Sequence, residues 1–221
     1  MREGLVVFPG SNCDRDMEVA LTRAGARVTR IWHAEDALPP GLDLVAVPGG
    51  FSFGDYLRCG AIAASAPVMP ALRAFAAAGG HVLGVCNGFQ ILCESRLLPG
   101  TLVRNAGLAF LCRQVPLIAG PASAFTARYG EDARLVLPVA HHDGSYVAAP
   151  EILDLLEAEG RIAFRYAEEV NGSQRRIAGI LSENRRILGM MPHPERAVDA
   201  DHGGTDGAPL FAGLVDALAA A

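Results

Sequence analysis

Lysine is absent from the 221-residue sequence, so all 19 of its Lys and Arg residues are arginine. This absence excludes enzymes that form a lysine Schiff base and nucleotide-binding loops that hold phosphate with a lysine. Acidic residues outnumber basic ones, 24 to 19, and give a formal net charge of −5. Proteins that bind nucleic acids usually carry a basic surface, so the charge balance argues against that class.

Long apolar runs and paired cysteines are lacking as well. The most apolar stretch, residues 59–80, is rich in alanine, contains Arg73 and two prolines, and falls short of the roughly 20 strongly apolar residues of a membrane-spanning helix. The first apolar run, Leu5–Phe8, is too short for a signal peptide. Five cysteines lie singly at positions 13, 59, 86, 93 and 112. No cysteines and histidines have the spacing of zinc ligands, so we expect no metal. Because no signal peptide or membrane span is predicted, we expect a cytoplasmic chain with reduced thiols.

What the chain has in quantity is apolar surface. Its residues are 51% hydrophobic and only 19% charged, which is typical of a folded protein with a large core rather than of a disordered segment. No repeat, linker or charge run divides the sequence. We therefore expect residues 1–221 to form a single domain.

Short β-branched runs alternate with helical segments in the first hundred residues, and strands are richer in the second half. Such alternation predicts a parallel sheet covered by helices on both faces. Ser182-Glu183-Asn184 is a turn signal between two late strands and predicts an added antiparallel hairpin. We expect a flavodoxin-like three-layer α/β fold. The predicted strands are 5–8, 27–32, 44–47, 81–85, 109–115, 135–139, 162–166, 177–181 and 187–191; the predicted helices are 14–25, 67–79, 87–96 and 210–219.

The segment Gly84-Val85-Cys86-Asn87-Gly88 has the pattern of a nucleophile elbow. Glycines two before and two after a nucleophile allow a strand-to-helix turn so sharp that larger side chains would collide. The helix that follows points its amino end at Cys86, which favours a thiolate. An ordinary buried cysteine beside a strand–helix turn is the alternative. Of the other cysteines, Cys93 and Cys112 fall on predicted buried faces and are expected in the core. Cys13 and Cys59 fall in predicted loops at the same edge of the sheet as Cys86.

A base with an orienting carboxylate is offered by His193-Pro194-Glu195. The flanking prolines favour extended backbone, in which residues i and i+2 project to the same side. Glu195 is thus placed to fix the tautomer of His193 while the other ring nitrogen faces a thiol. A surface turn is the alternative interpretation.

Glycines also mark the loop after the third predicted strand, Pro48–Asp55. Backbone without side chains brings an N–H close to a developing oxyanion, and the amide after the nucleophile supplies a second donor. A phosphate-binding loop is the alternative, but no lysine follows.

At these segments the chain resembles the class I (triad) glutamine amidotransferases and, among them, the glutaminase subunits of phosphoribosylformylglycinamidine synthases. The resemblance extends nearly end to end. It is carried by FPGSNCD at 8–14, PGGFSFGDYLRCGAIA at 48–63, VLGVCNGFQIL at 82–92 and LGMMPHPERAVD at 188–199.

Residue by residue, the resemblance implies that Cys86 is the nucleophile, His193 the acid and base, and Glu195 its orienting partner. It implies oxyanion donors at the backbone amides of Gly50 and Asn87. Three residues are expected in the glutamine pocket: Gln90, Phe51 and His141. The chain departs from the family's His-Gly-Glu-Gly pattern, because it has His141-His142-Asp143-Gly144.

The resemblance also implies partners. Glutamine would be hydrolysed to glutamate through a cysteine thioester, and the ammonia passed to an ATP-dependent synthetase subunit in purine synthesis. ATP and magnesium would belong to that large subunit and not to this chain, and a small third subunit is expected in the complex.

Two other function classes remain. One is a stand-alone thiol peptidase or deglycase on the same sheet, but those enzymes usually draw their histidine from beside the cysteine, whereas His193 lies 107 positions after Cys86. The other is a non-enzymatic subunit that binds glutamine or a partner without turnover, although all three triad positions are filled.

Overall fold

The computed structural model describes residues 1–219. Eleven strands lie within this range: β1 (Arg2–Val7), β2 (Arg27–Trp32), β3 (Leu44–Val47), β4 (His81–Val85), β5 (Thr101–Val103), β6 (Leu111–Ala119), β7 (Arg134–His141), β8 (Ser145–Val147), β9 (Ile162–Tyr166), β10 (Ile177–Leu181) and β11 (Ile187–Met190). The helices are α1 (Asp14–Arg23), α2 (Val68–Ala77), α3 (Asn87–Glu94), α4 (Pro150–Ala158) and α5 (Ala208–Ala219). None of these helices is both long and apolar enough to cross a membrane.

Nine strands form one sheet in the order β2-β1-β3-β4-β11-β10-β9-β6-β7. From β2 to β11 neighbouring strands are parallel, and from β11 onwards they are antiparallel. The small strands β5 and β8 pair separately. The three-layer α/β fold is confirmed, and its antiparallel part is larger than the single predicted hairpin.

Helices cover both faces of the parallel half because the chain moves along the sheet in opposite directions. From β1 it passes through α1 to β2, and from β3 it passes through α2 to β4 in the other direction. Since such crossovers are right-handed, α1 and α2 lie on opposite faces. The strands between them are buried on both sides; all four residues of β3 are buried.

The β10–β11 hairpin determines where β11 and the residues directly after it lie. Its turn follows Ser182, and Leu181 pairs with Leu188 across it. The hairpin brings β11 beside β4 in parallel orientation, with Ile187 opposite Val82 and Met190 opposite Val85. The carboxyl ends of β4 and β11 therefore meet at one edge of the sheet.

The second half of the chain differs from expectation in several places, and the small strand β8 is one that was not predicted. Helix α4 was not predicted, although Pro150 stands in its first turn, where proline is favoured, and Leu153 and Leu156 are buried three residues apart. Strand β6 was predicted over 109–115 but runs on through Pro116 to Ala119, because Val115, Leu117 and Ala119 keep the alternation of a half-buried strand.

Cys112 was predicted to lie in the core and is instead exposed. β6 pairs with β9 only from Leu117 to Ala119, whereas it pairs with β7 along nearly its whole length. The first part of β6 therefore belongs to a two-stranded ribbon that projects past the rest of the sheet and exposes its residues. Cys93, the other cysteine predicted for the core, is buried.

Candidate active site

The site lies at the carboxyl ends of neighbouring parallel strands, where the strand order reverses between β1 and β3. Because the chain leaves these two strands in opposite directions, a crevice opens between the loops that follow them. The amides of Asn12 and Cys13 donate hydrogen bonds to the carbonyl of Gly49 at 3.3 and 3.2 Å. The amide of Phe51 donates to the carbonyl of Gly10 at 2.9 Å. These bonds fix the two loops against each other at the floor of the crevice.

Cys86 stands on a sharp turn between β4 and α3. Its backbone has φ 52° and ψ −108°, a conformation that residues with a side chain rarely adopt. A Cβ on Gly84 would lie 2.8 Å from the carbonyl oxygen of Gly88, and a Cβ on Gly88 would overlap the carbonyl oxygen of Val47. Both glycines are thus required by close backbone approach, as the elbow pattern predicted.

His193 and Glu195 follow β11 on a short stretch that ends in a 3₁₀ turn, Pro194–Arg196. Nδ1 of His193 lies 2.6 Å from Oε1 of Glu195, and both side chains are buried. The His193 amide donates to the carbonyl of Pro138 in β7 at 2.8 Å, which ties this stretch to the antiparallel ribbon. The expected contact of the carboxylate with the ring is present, but it is made through a 3₁₀ turn and not through the extended backbone that the prolines predicted.

Gly49 lies at the point where the thiol and the imidazole meet. A Cβ on Gly49 would lie 2.8 Å from Cε1 of His193, 3.4 Å from Cβ of Cys86 and 3.0 Å from Sγ of Cys13. The absence of a side chain at this position leaves room for all three residues around it. The structure thus brings Cys86, His193 and Glu195 together from positions more than a hundred residues apart.

A cavity of about 240 Å³ opens beside this group. Its lining includes Cys86, His193, Gly50, Phe51 and Phe110. The volume is below the roughly 300–1,000 Å³ typical of pockets for drug-sized ligands and suits a molecule of amino-acid size. Cys86 is buried, and it lines this space at the edge of the packed core.

The charges around His193 favour an imidazolium. Burial alone lowers the pKa of the ring, but the negative charge of Glu195 and the thiolate form of Cys86 raise it, and the pKa stands well above its ordinary value. Nε2 has no hydrogen-bond partner within residues 1–219. The arrangement can therefore hold a proton on the ring next to the thiol.

Of the two residues predicted as oxyanion donors, Gly50 lines the same cavity as Cys86, and Asn87 follows Cys86 in the chain. Gly50 has φ 153°, and a Cβ there would lie 2.6 Å from the carbonyl oxygen of Gly10, so only glycine fits. Gly50 forms a bridge with Ser11, but its two bonds are donated by Asn12 and Phe51 and do not use the Gly50 N–H. Asn87 is the first residue of α3, where backbone N–H groups have no partner within the helix.

The three residues expected in the glutamine pocket are placed differently from one another. Phe51 lines the cavity and is half exposed, whereas Gln90 and His141 are buried and do not line it. Oε1 of Gln90 accepts from Asn87 at 2.8 Å, and Nε2 donates to the carbonyl of Asp143 at 2.6 Å. Gln90 thus joins the start of α3 to the segment in which the chain departs from its family pattern.

His141 is held by Asn105, whose Oδ1 lies 3.1 Å from Nδ1 of the ring. Burial, with the nearby positive charge of His193, lowers the pKa of His141 to about 4, so the ring is neutral near pH 7. In the same segment, the carboxylate of Asp143 accepts from Nε of Arg104 at 2.8 Å. The segment 141–144, in which the chain departs from the family pattern, is therefore held by hydrogen bonds beside the cavity.

Sequence reasoning missed several residues that line the cavity. Cys112 comes from the projecting ribbon, Phe110 directly precedes it, and Arg196 ends the 3₁₀ turn that contains Glu195. Cys13 was placed in a loop at this edge, but its contact with His193 was not foreseen. The sequence offered one signal for Cys13. It lies in FPGSNCD, one of the four longest segments that carry the family resemblance.

A family model described as the CobB/CobQ-like glutamine amidotransferase domain matches residues 4–203. The chain belongs to this glutamine amidotransferase family. Among its curated relatives, the phosphoribosylformylglycinamidine synthase subunit PurQ of Jannaschia sp. (strain CCS1) is 61% identical over 222 residues and covers all of both chains. The PurQ subunit of Roseobacter denitrificans is 57% identical over 221 residues, again over the whole of both chains.

Among solved structures, a chain of PurLQS from Thermotoga maritima superposes on this amidotransferase with a TM-score of 0.91. The two chains are 39% identical, and 98% of each is covered. The amidotransferase fold therefore extends over the antiparallel ribbon and α5 as well as over the parallel half.

Proposed function

We propose that this chain is the glutaminase subunit of phosphoribosylformylglycinamidine synthase, which hydrolyses glutamine and supplies ammonia for purine synthesis. The observation that carries the proposal is the meeting of the Cys86 elbow with the His193–Glu195 pair beside a cavity of amino-acid size. The identity to PurQ subunits over the full length of the chain supports the specific substrate and pathway.

The first half of the reaction forms a thioester. The Cys86 thiolate attacks the carboxamide carbon of glutamine, and the backbone amides of Gly50 and Asn87 stabilise the oxyanion. The imidazolium of His193 gives its proton to the leaving nitrogen as the carbon–nitrogen bond breaks, and ammonia departs. Glu195 keeps the ring in the orientation that faces the thiol.

The second half removes the acyl group. His193, now neutral, takes a proton from a water molecule, and the resulting hydroxide attacks the thioester carbon. Collapse of this intermediate releases glutamate and restores the Cys86 thiolate and the imidazolium. The sum is one glutamine and one water converted to glutamate and ammonia.

Phe51, Gln90 and His141 form the glutamine pocket in this proposal. Phe51 contacts the substrate at the rim of the cavity. Gln90 and His141 hold the wall next to it through Asp143 and Asn105, and an exchange of the Gln90 hydrogen bonds lets its amide reach the substrate.

Residues 1–221 act as a single amidotransferase domain in a cytoplasmic complex. Ammonia released into neutral water would become ammonium and lose its nucleophilicity, so it must pass directly to an acceptor. That acceptor is the large synthetase subunit, which carries ATP and magnesium, and a small third subunit completes the complex. The PurLQS structure of a relative supports this assembly.

The test is glutamate release from glutamine by the purified chain, alone and with the synthetase subunits, for the natural sequence and for Cys86→Ala. We expect glutaminase activity in the natural chain and a loss of roughly 10³-fold or more in the variant, since the nucleophile is removed. Cys112→Ser, at an exposed cysteine of the same cavity, is the matched control and should retain activity.

Three results would contradict the proposal. Absence of glutamate release even with the synthetase would leave a non-enzymatic subunit. Cleavage of peptides in place of glutamine would favour the thiol peptidase alternative. Full activity of Cys86→Ala would exclude the thioester route.

A further inference from the structure

A second buried thiol lies against the His193–Glu195 pair. Sγ of Cys13, a ring nitrogen of His193 and a carboxylate oxygen of Glu195 all lie within 4.8 Å of one another. The three side chains come from the loop after β1 and the turn after β11, and each is buried. The proposed hydrolysis uses His193 and Glu195 but assigns nothing to Cys13.

Atoms of this group are left without hydrogen-bond partners. Within residues 1–219, Nε2 of His193 and Oε2 of Glu195 are buried and unpartnered. Sγ of Cys13 lies 3.1 Å from Oδ1 of Asn12, and the thiol also contacts the His193 ring. Buried polar atoms are normally satisfied, so unpartnered ones deserve an explanation.

The three donor atoms are sulfur, nitrogen and oxygen, and this combination favours one class of metal ion. Thiolate sulfur, imidazole nitrogen and carboxylate oxygen are the donors that zinc takes, in a tetrahedral arrangement with distances of about 2.0–2.3 Å. Donor atoms no more than 4.8 Å apart can surround such an ion after small side-chain adjustments. Magnesium and calcium prefer oxygen donors alone and would not use the sulfur.

The cavity gives an ion a route to this group. Cys13 and His193 both line it, together with Cys86. The Cys86 thiol interacts with the same imidazole but does not belong to the group of three donors. The spacing along the sequence gave no sign of this arrangement, because the donors come from opposite ends of the chain.

We propose that Cys13, His193 and Glu195 form a binding site for a thiophilic divalent cation such as Zn²⁺, and that occupation of this site inhibits the glutaminase. The inhibition rests on the proposed function, whereas the binding does not. A ring nitrogen that donates its lone pair to a metal cannot exchange a proton with substrate. Binding releases two protons to solvent, one from the Cys13 thiol and one from the coordinating ring nitrogen of the His193 imidazolium.

Binding is tested with Co²⁺, which reports thiolate ligands by absorption, on the full chain carrying Cys86→Ala. We expect a sulfur-to-cobalt charge-transfer band that saturates at one ion per chain and is removed by Zn²⁺. Adding Cys13→Ser should abolish the band and weaken binding at least about tenfold. Adding Cys112→Ser, at the exposed cysteine of the same cavity, should change neither.

Inhibition is tested on the chain with Cys86 intact. Zn²⁺ should inhibit glutamate release, and a chelator should restore it. Cys13→Ser should need at least about tenfold more Zn²⁺ to lose half of its own metal-free activity. Circular dichroism of each variant shows that the fold is retained.

A charge-transfer band that persists in Cys13→Ser, or no band in the chain that retains Cys13, would overturn the site. Equal Zn²⁺ sensitivity with and without Cys13 would overturn the inhibitory role. Absence of glutaminase activity in every preparation would contradict the proposed function alone, because the Co²⁺ spectra decide the binding independently.

Discussion

The two ends of the parallel strands each bury a carboxylate, and the two carboxylates have different surroundings. Glu195, at the carboxyl end, lies 2.6 Å from the ring of His193. Glu3, near the amino end in β1, is fully buried, and both of its oxygens lack a hydrogen-bond partner within residues 1–219. Burial raises the pKa of Glu3 to about 8.

The comparison shows that the partner, and not the depth of burial, decides the charge of a buried carboxylate. Removing a carboxylate from water disfavours its ionised form unless a positive group or hydrogen-bond donors compensate. Glu195 lies beside such a group, the His193 ring, and its charge raises the pKa of that ring. At Glu3 the positive charge of the amino terminus does not offset burial, and the side chain stays protonated near pH 7. The same residue type is therefore electrostatically active at one end of the sheet and neutral at the other.

The largest effect is expected from Glu195→Gln. The amide preserves the shape of the side chain but removes the negative charge that raises the pKa of His193 and selects its tautomer. We expect kcat/KM for glutamine hydrolysis to fall by roughly 10³-fold, since amide replacement of the orienting carboxylate in a Ser-His-Asp triad costs about 10⁴ in kcat. Steady-state glutamate release measures the change. Activity within fivefold of the natural chain would show that Glu195 does not orient the ring.

A smaller effect is expected in the pH dependence of stability, through Glu3. The folded chain keeps the Glu3 proton up to about pH 8, whereas the unfolded chain releases it near pH 4.5. Because the folded state binds the additional proton between these values, the free energy of unfolding falls as the pH rises from about 4.5 to about 8. The total loss is on the order of 4 kcal/mol.

Urea unfolding at pH 5 and pH 8.5 measures this loss, and Glu3→Gln should remove most of it without changing glutamate release. Glu183→Gln, in the exposed turn between β10 and β11, is the matched control and should leave the natural pH dependence in place. An equally steep pH dependence in Glu3→Gln would show that Glu3 is charged in the folded protein, and the comparison with Glu195 would fail.

The smallest effect is expected for Glu94, a carboxylate whose ion-pair partner is exposed to water. Glu94 accepts two hydrogen bonds from Arg58, at 2.9 and 2.5 Å, and Arg58 is largely exposed. Water and salt weaken such pairs, so Glu94→Gln should lower the free energy of unfolding by at most about 1 kcal/mol. Urea unfolding measures it, with the same control variant. If the free energy of unfolding fell by several kcal/mol, an ion pair exposed to water would stabilise the fold as much as a buried one, and the comparison would fail.

The parallel half of the fold was readable from the sequence because its signals are local. The β-branched runs of β1 to β4 and the glycines at their ends lie within a few residues of each other. The length of the antiparallel part was not readable, because it depends on which strands pair. The exposure of Cys112 follows from the short pairing of β9 with β6, a long-range fact that the residues around position 112 do not contain.

The same distinction applies to the site. The elbow glycines around Cys86 and the spacing of His193 and Glu195 are local patterns, so the approach of these residues could be expected. The contact of Cys13 with His193 arises because β1 and β3 are neighbours and their loops pack on Gly49. No local pattern encodes that packing, and only the quoted motif pointed to position 13.

The position of β11 has a consequence for biosynthesis. Cys86 and its elbow are complete when fewer than half of the residues have been made, but the base arrives only when the hairpin that carries β11 docks beside β4. A nascent or truncated chain would hold the sulfur without its proton carrier and would leave cellular glutamine intact. Hydrolysis thus begins only in a polypeptide whose last strand is in place.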